Sequence, residues 1–108
     1  MRFRVRIRGR GRVQIPAYGV ADAEHLVEKE LRRLWPQAQV RVGNISRAGD
    51  QRIVEEFAVG YLVEGALEVY APKAEEAPGA AFRQARGMLA GGRYRRTEWE
   101  EVEEEVRS

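Results

Sequence analysis

The sequence predicts an α+β two-layer sandwich, with a mainly antiparallel sheet and two helices on one of its faces. Three observations carry that expectation. Phe3, Val5, Ile7, Val13 and Ile15 occupy odd positions while arginine fills every even position from Arg2 to Arg12, which is the period of a half-exposed strand. Two later segments repeat apolar residues at steps of three and four, the stripe of an amphipathic helix. Placing each residue beside the one 54 positions on matches Phe3 with Phe57, Val5 with Val59, Ile7 with Tyr61, Ile15 with Val69 and Ala23 with Ala77, so the pattern runs twice.

The elements follow in order. Gly9 and Gly11 predict a turn that folds the first alternating run into a hairpin, closed by Pro16 and Gly19. Val20, Ala23, Val27, Leu31 and Leu34 make the first helix, which Pro36 stops. Val40 and Val42, extended to Ile45, form the next strand, and a turn is expected from Arg47 to Asp50. The second unit opens on an apolar run over residues 57 to 63, then turns at Gly65 into the alternating Leu67 and Val69. Its helix starts at Pro78, because proline suits the first helical position, and buries Ala81, Phe82, Ala85, Met88 and Leu89 before Gly91 and Gly92 end it. Residues 93 to 97 read as a last strand. Thr97 and Glu100 then have capping-box spacing, and Trp99, Val102 and Val106 share a helical face, which predicts a short C-terminal helix; the alternative is a strand through residues 98 to 107.

The order strand, turn, strand, helix, strand, used in units 1–46 and 55–100 of a single domain 1–108, resembles the ferredoxin-like pattern with a hairpin strand added in each half. A duplicated β-β-α-β describes it equally. The resemblance is to an architecture that hosts unrelated activities, so it implies a shape and no function.

Composition narrows the class. With 44% hydrophobic and 33% charged residues the chain is globular. It has no cysteine, which removes disulfides, thiolate nucleophiles and thiolate zinc sites together. No run of 18 apolar residues occurs, and the arginines break up any signal-peptide core, so a cytoplasmic protein without a membrane partner is expected. Residues 1 to 54 carry a formal charge of +7 and residues 55 to 108 one of −5. The halves are electrically complementary, and that suits either mutual neutralisation or a dipolar molecule with a phosphate-attracting face.

The arginine row is the main chemical signal. At about 3.3 Å per residue its guanidinium groups recur every ~6.6 Å, roughly twice the ~3.4 Å rise of phosphates along one strand of a duplex. A second basic cluster, Arg93 to Arg96, contains Tyr94. One reading is therefore a nucleic-acid surface of Arg4, Arg6, Arg8, Arg10, Arg93, Arg95 and Arg96, with Tyr94 stacking on a base. The other pairs the row across the sheet with glutamates, for which Glu55, Glu56, Glu98, Glu100 and Glu101 are the candidates. Positions equivalent to Arg4, Arg6 and Arg8 in the second unit are Ala58, Gly60 and Leu62, so the basic row is no requirement of the fold. An apolar outward face needs a cover: a second copy of the chain, or the C-terminal helix folding back with Trp99, Val102 and Val106.

Enzyme chemistry finds few components. His25 is the only histidine, Thr97 the only threonine and Ser46 the only internal serine, so neither a nucleophile with its base nor a metal site is expected, and no cofactor or small-molecule ligand. The sequence reads as a small non-enzymatic association module, homodimeric through Ala58, Gly60 and Leu62. Nucleic-acid binding is the alternative.

Overall fold

The computed structural model describes residues 1–48, 55–90 and 92–103. The chain runs β1 (Arg2–Ala17), α1 (Val20–Leu34), β2 (Gln39–Arg47), β3 (Glu55–Tyr70), α2 (Ala77–Leu89) and β4 (Glu98–Glu101), with a one-turn 3-10 helix, Ala74–Glu76, leading into α2. The four strands form one antiparallel sheet in the order β2-β3-β1-β4. Two helices beside an antiparallel sheet make this an α+β fold. Among the described residues no helix is long and apolar enough to cross a membrane.

β1 and β3 are each 16 residues long and pair along their whole length, from Arg2 opposite Tyr70 to Ala17 opposite Glu55. Sixteen residues at about 3.3 Å each span ~53 Å, and the longest dimension of the molecule is 53 Å against 31 and 18 Å for the others. This ribbon is the backbone of the architecture. It stretches the Cα radius of gyration to 16.0 Å, where about 13 Å is usual for the length.

The hairpins expected at Gly9–Gly11 and at Gly65 are absent, because each glycine lies within a straight strand and serves a neighbouring aromatic ring. A Cβ on Gly9 would stand 2.6 Å from the Trp99 ring, one on Gly65 would stand 2.6 Å from the Trp35 ring, and one on Gly11 would run into the Tyr61 hydroxyl. Those distances are far inside van der Waals contact. The glycines are slots for rings, the aromatic-over-glycine device of strongly built sheets, and the odd-even alternation crosses them without a break. Trp35 and Trp99, over glycines of adjacent strands, also meet each other at a centroid distance of 6.2 Å.

Odd-numbered residues of β1 and β3 supply the core: Val5, Ile7, Val13 and Ile15 from one, Phe57, Val59, Tyr61, Val63, Leu67 and Val69 from the other. Ala23, Val27 and Leu31 of α1 and Ala77, Ala81, Ala85 and Leu89 of α2 join them, and both helices contact β1 and β3. Val20, expected in the α1 stripe, is half exposed. Trp35 caps α1 and is 1% exposed. It precedes Pro36, and its backbone has left the helical region (φ −141°, ψ 82°), as the clash with a following proline requires.

The C-terminal region departs from expectation. Residues 98 to 101 form a strand rather than a helix, and residues 92 to 96 are a turn rather than a strand. Glu98 pairs with Arg10 and Glu101 with Ile7, while the Val102 amide donates to the Arg6 carbonyl at 2.9 Å. The Thr97 hydroxyl serves Tyr61 and the Tyr94 carbonyl instead of a helix end. Trp99 lies over Gly9 on the odd-numbered side, so it cannot fold across Ala58 and Leu62; Val106 lies outside the described residues, as do Gly49 and Asp50 of the turn expected from Arg47 to Asp50.

Candidate anion site on the even-numbered sheet face

Even-numbered residues of β1 and β3 face away from the core and are half-buried or exposed. The row from Arg2 to Arg12 lies there as the sequence predicts, yet its two ends differ in electrostatic character.

Toward the start of β1 Arg2, Arg6 and Arg8 are paired. Arg6 and Arg8 both bind Glu64, at 3.1 and 2.7 Å, Arg8 also reaches Glu100 at 3.4 Å, and Arg2 pairs with Glu68. Arg8 donates through Nε and Nη2 to one Glu64 oxygen while Arg6 donates to the other. The carboxyl of Glu64 is held below its ordinary range, first by the Arg8 hydrogen bonds and then by Arg6, against the opposing effect of burial. Of the expected partners, Glu100 joins the row and Glu55 instead binds Arg47 at 3.0 Å. Glu64 and Glu68, which carry most of the neutralisation, sit in the second strand of what the sequence suggested was another hairpin. A straight β3 puts them opposite Arg8 and Arg4.

Toward the other end the charges are unpaired. Arg10, Arg12, Arg41 and Arg96 line an open hollow of about 660 Å³, with Glu98 as its one acid, and none of the four has a carboxylate within 4 Å among the described residues. They come from three elements: β1, β2 and the turn before β4. The floor is Gly43, Gly60 and Leu62. Gly43 is opposite Gly60, and Gly60 is opposite Arg12. A Cβ on Gly60 would stand 2.9 Å from the Gly43 carbonyl oxygen, so the backbone itself forms the surface there.

β2 is irregular at this point. Three steps from Gly43 to Ser46 match two on β3 from Gly60 to Ala58, which is a β-bulge, and Asn44 within it takes φ 51° in the left-handed region. The extra residue reverses the facing of the strand. Ser46 therefore points to the even side, and its hydroxyl accepts a hydrogen bond from Arg12 at 2.7 Å. Arg12 is thus drawn across β3 above Gly60.

The remaining predicted residues are placed as follows. Arg4 is exposed on the same face without an ion pair among the described residues, and Arg93 and Arg95 are exposed on the turn. Tyr94 cannot stack on a base: it is 2% exposed, its ring edge packs on Tyr61 at 5.2 Å and its hydroxyl donates to Glu30 at 3.0 Å. Burial, with Glu30 beside it, pushes the Tyr94 phenol above its usual range, and burial raises Tyr61 as well. Ala58 and Leu62 are half-buried on the even face. Leu62 lies directly between Arg10 and Arg41 in the register, so arginine stems flank it on both sides. His25 is exposed on α1.

Arg12 and Arg41 escaped sequence reasoning. Arg12 continues the row and Arg41 alternates with Val40 and Val42, so both were legible as outward residues; what joins them is a register across two strands. Compared with known proteins, the chain matches no family model, no curated protein and no solved structure.

Proposed function

We propose that the chain is a non-enzymatic binding module that takes the phosphate backbone of nucleic acid on the even-numbered sheet face, with Arg10, Arg12, Arg41 and Arg96 as the contacts. One observation carries this: four arginines from three elements converge without carboxylate partners on a glycine floor, while Arg2, Arg6 and Arg8 of the row are paired with glutamates and Arg4 stands alone. Arginine binds phosphate oxygens with paired N–H donors. The central strands present no aromatic on this face near the hollow, so recognition is of the backbone rather than of base identity.

For the finer architecture we infer a ferredoxin-like sandwich, both helices lying on the odd-numbered side. The element order β-α-β-β-α-β and the strand order β2-β3-β1-β4 support it, as does the burial of odd residues alone.

The homodimer expected on Ala58, Gly60 and Leu62 fits less well. It would set Arg10, Arg12 and Arg41 of one copy against those of the other, and the arginine stems beside Leu62 already supply part of the cover that a second copy was invoked to give. Like charges buried face to face cost several kcal/mol.

Fluorescence anisotropy of a labelled oligonucleotide tests the reading. For four contacts on a single strand, log affinity should fall with log salt at a slope of about −2.8. Arg10→Ala with Arg41→Ala should halve that slope; an unchanged slope, or no binding at low salt, refutes the assignment.

A further inference from the structure

Resting on that phosphate-binding reading, we infer that the ligand is a single strand and that it crosses the sheet. It runs from Arg41 on β2, over Gly60, to Arg10 and Arg12 on β1 and on to Arg96, instead of following the arginine row along β1.

Two features close the path along β1. Beyond Arg10 the row meets Arg8 and Arg6, whose guanidinium groups share the Glu64 carboxylate, and then Arg2, bound to Glu68. A phosphate chain continuing that way must displace carboxylates already held, one of them by two arginines, and pass Glu100. Each displaced carboxylate would face the incoming phosphates.

The transverse path is open. Arg12, Gly60 and Gly43 lie side by side across three adjacent strands, so the floor between the Arg12 stem and the β2 edge is backbone, and what lies over it is the Arg12 guanidinium itself, with Asn44 beside it. From β2 to the position of β4 is three strand intervals, about 14 Å. The bulge adds a second, independent mark at this place. It turns Ser46 to the even side, where it holds Arg12, and it holds Asn44 at the rim in a left-handed conformation that a non-glycine residue adopts at some cost.

The hollow also separates a single strand from a duplex. Its 660 Å³ far exceeds the space that phosphate oxygens occupy, since a water takes only about 30 Å³. There is room for a base beneath the phosphates, where the Asn44 carboxamide offers both a donor and an acceptor. A duplex keeps its bases stacked inside and would leave that space empty. Arginine guanidinium planes serve as stacking partners for exposed bases in place of aromatic rings.

The test uses the full chain in anisotropy titrations with labelled single strands of about 6, 12 and 18 nucleotides, lengths that run from within to beyond the ~4–16 nucleotides that a single-strand-binding OB fold covers, and a duplex of the same sequence. Affinity should stop rising with length at the shortest strand, apart from the statistical factor, and the duplex should bind more weakly at every salt concentration. Arg41→Ala and Arg96→Ala should each lower the salt slope by about 0.7, with Arg4→Ala leaving it unchanged. Equal or tighter duplex binding overturns the single-strand assignment. A loss at Arg4→Ala matching that at Arg41→Ala overturns the transverse path. Absence of binding to both nucleic acids removes the phosphate reading itself, and the inference with it.

Discussion

Glu64 shows how one residue changes the meaning of a pattern. It sits on β3, opposite Arg8 of β1 and Gln39 of β2, with its side chain only 17% exposed, and it answers two arginines at once. Its carboxyl is held below the usual range. The folded state therefore binds fewer protons than the unfolded chain, so the contribution is fully present above the ordinary carboxylate value of about 4.3 and is lost as pH falls through the lower folded value. Glu64→Gln should lower stability at neutral pH by up to about 1 kcal/mol, the range of partly exposed ion pairs. In urea unfolding followed from neutral to acid pH, the gap between wild type and variant should narrow as the pH drops below the carboxylate range. A gap that stays constant with pH would show that charge is not what Glu64 contributes.

At the scale of elements, the turn before β4 is fixed by hydrogen bonds rather than by helix or strand. The Thr97 hydroxyl meets the Tyr61 hydroxyl at 2.6 Å and donates to the Tyr94 carbonyl, and Tyr94 in turn anchors to Glu30 on α1. This chain of contacts ties the turn that carries Arg96 to the core. Thr97→Val keeps the shape but removes the hydroxyl, leaving the Tyr61 phenol short of a buried partner at a cost of about 1–3 kcal/mol. Chemical denaturation should show that loss, and amide exchange should show faster opening of residues 94 to 97 than of β1. Because Arg96 rides on this turn, the same variant should bind nucleic acid more weakly than wild type. Both tyrosines ionise above their usual range, so the unfolded state loses these phenolic protons first. Stability from them is complete below about pH 10 and declines above it; Tyr94→Phe should flatten the alkaline limb of the stability profile.

For the whole molecule, five of the six ion pairs among the described residues join the basic first half to the acidic second half, the exception being Glu28 with Arg32 inside α1. The ion pairs of the sheet thus draw on that long-range complementarity, and four arginines left without a carboxylate gather at the Arg10 end of the ribbon. A face carrying them repels its own copy. In sedimentation equilibrium without polyanion the protein should behave as a monomer across the concentration range, and Leu62→Glu should not alter its mass. Dimerisation that Leu62→Glu abolishes would restore the homodimer interface at Ala58, Gly60 and Leu62.

The sequence by itself determined the α+β class, the outward arginine row, both helices and the buried odd positions, because side-chain alternation and helical periodicity are local properties. Even the continuity of β1 was written in the unbroken parity across Gly9 and Gly11; it was obscured because glycine commonly marks a turn, and its service to Trp99 and Tyr61 involves residues 50 to 90 positions away. Only the tertiary structure decided which arginines are satisfied. Strand register puts Glu64 against Arg8 and brings Arg41 level with Arg10 across Leu62, and register is set by how elements pack, not by the charge of the residues that happen to meet. The row legible in the sequence runs along a strand. The unpaired charge lies across the sheet.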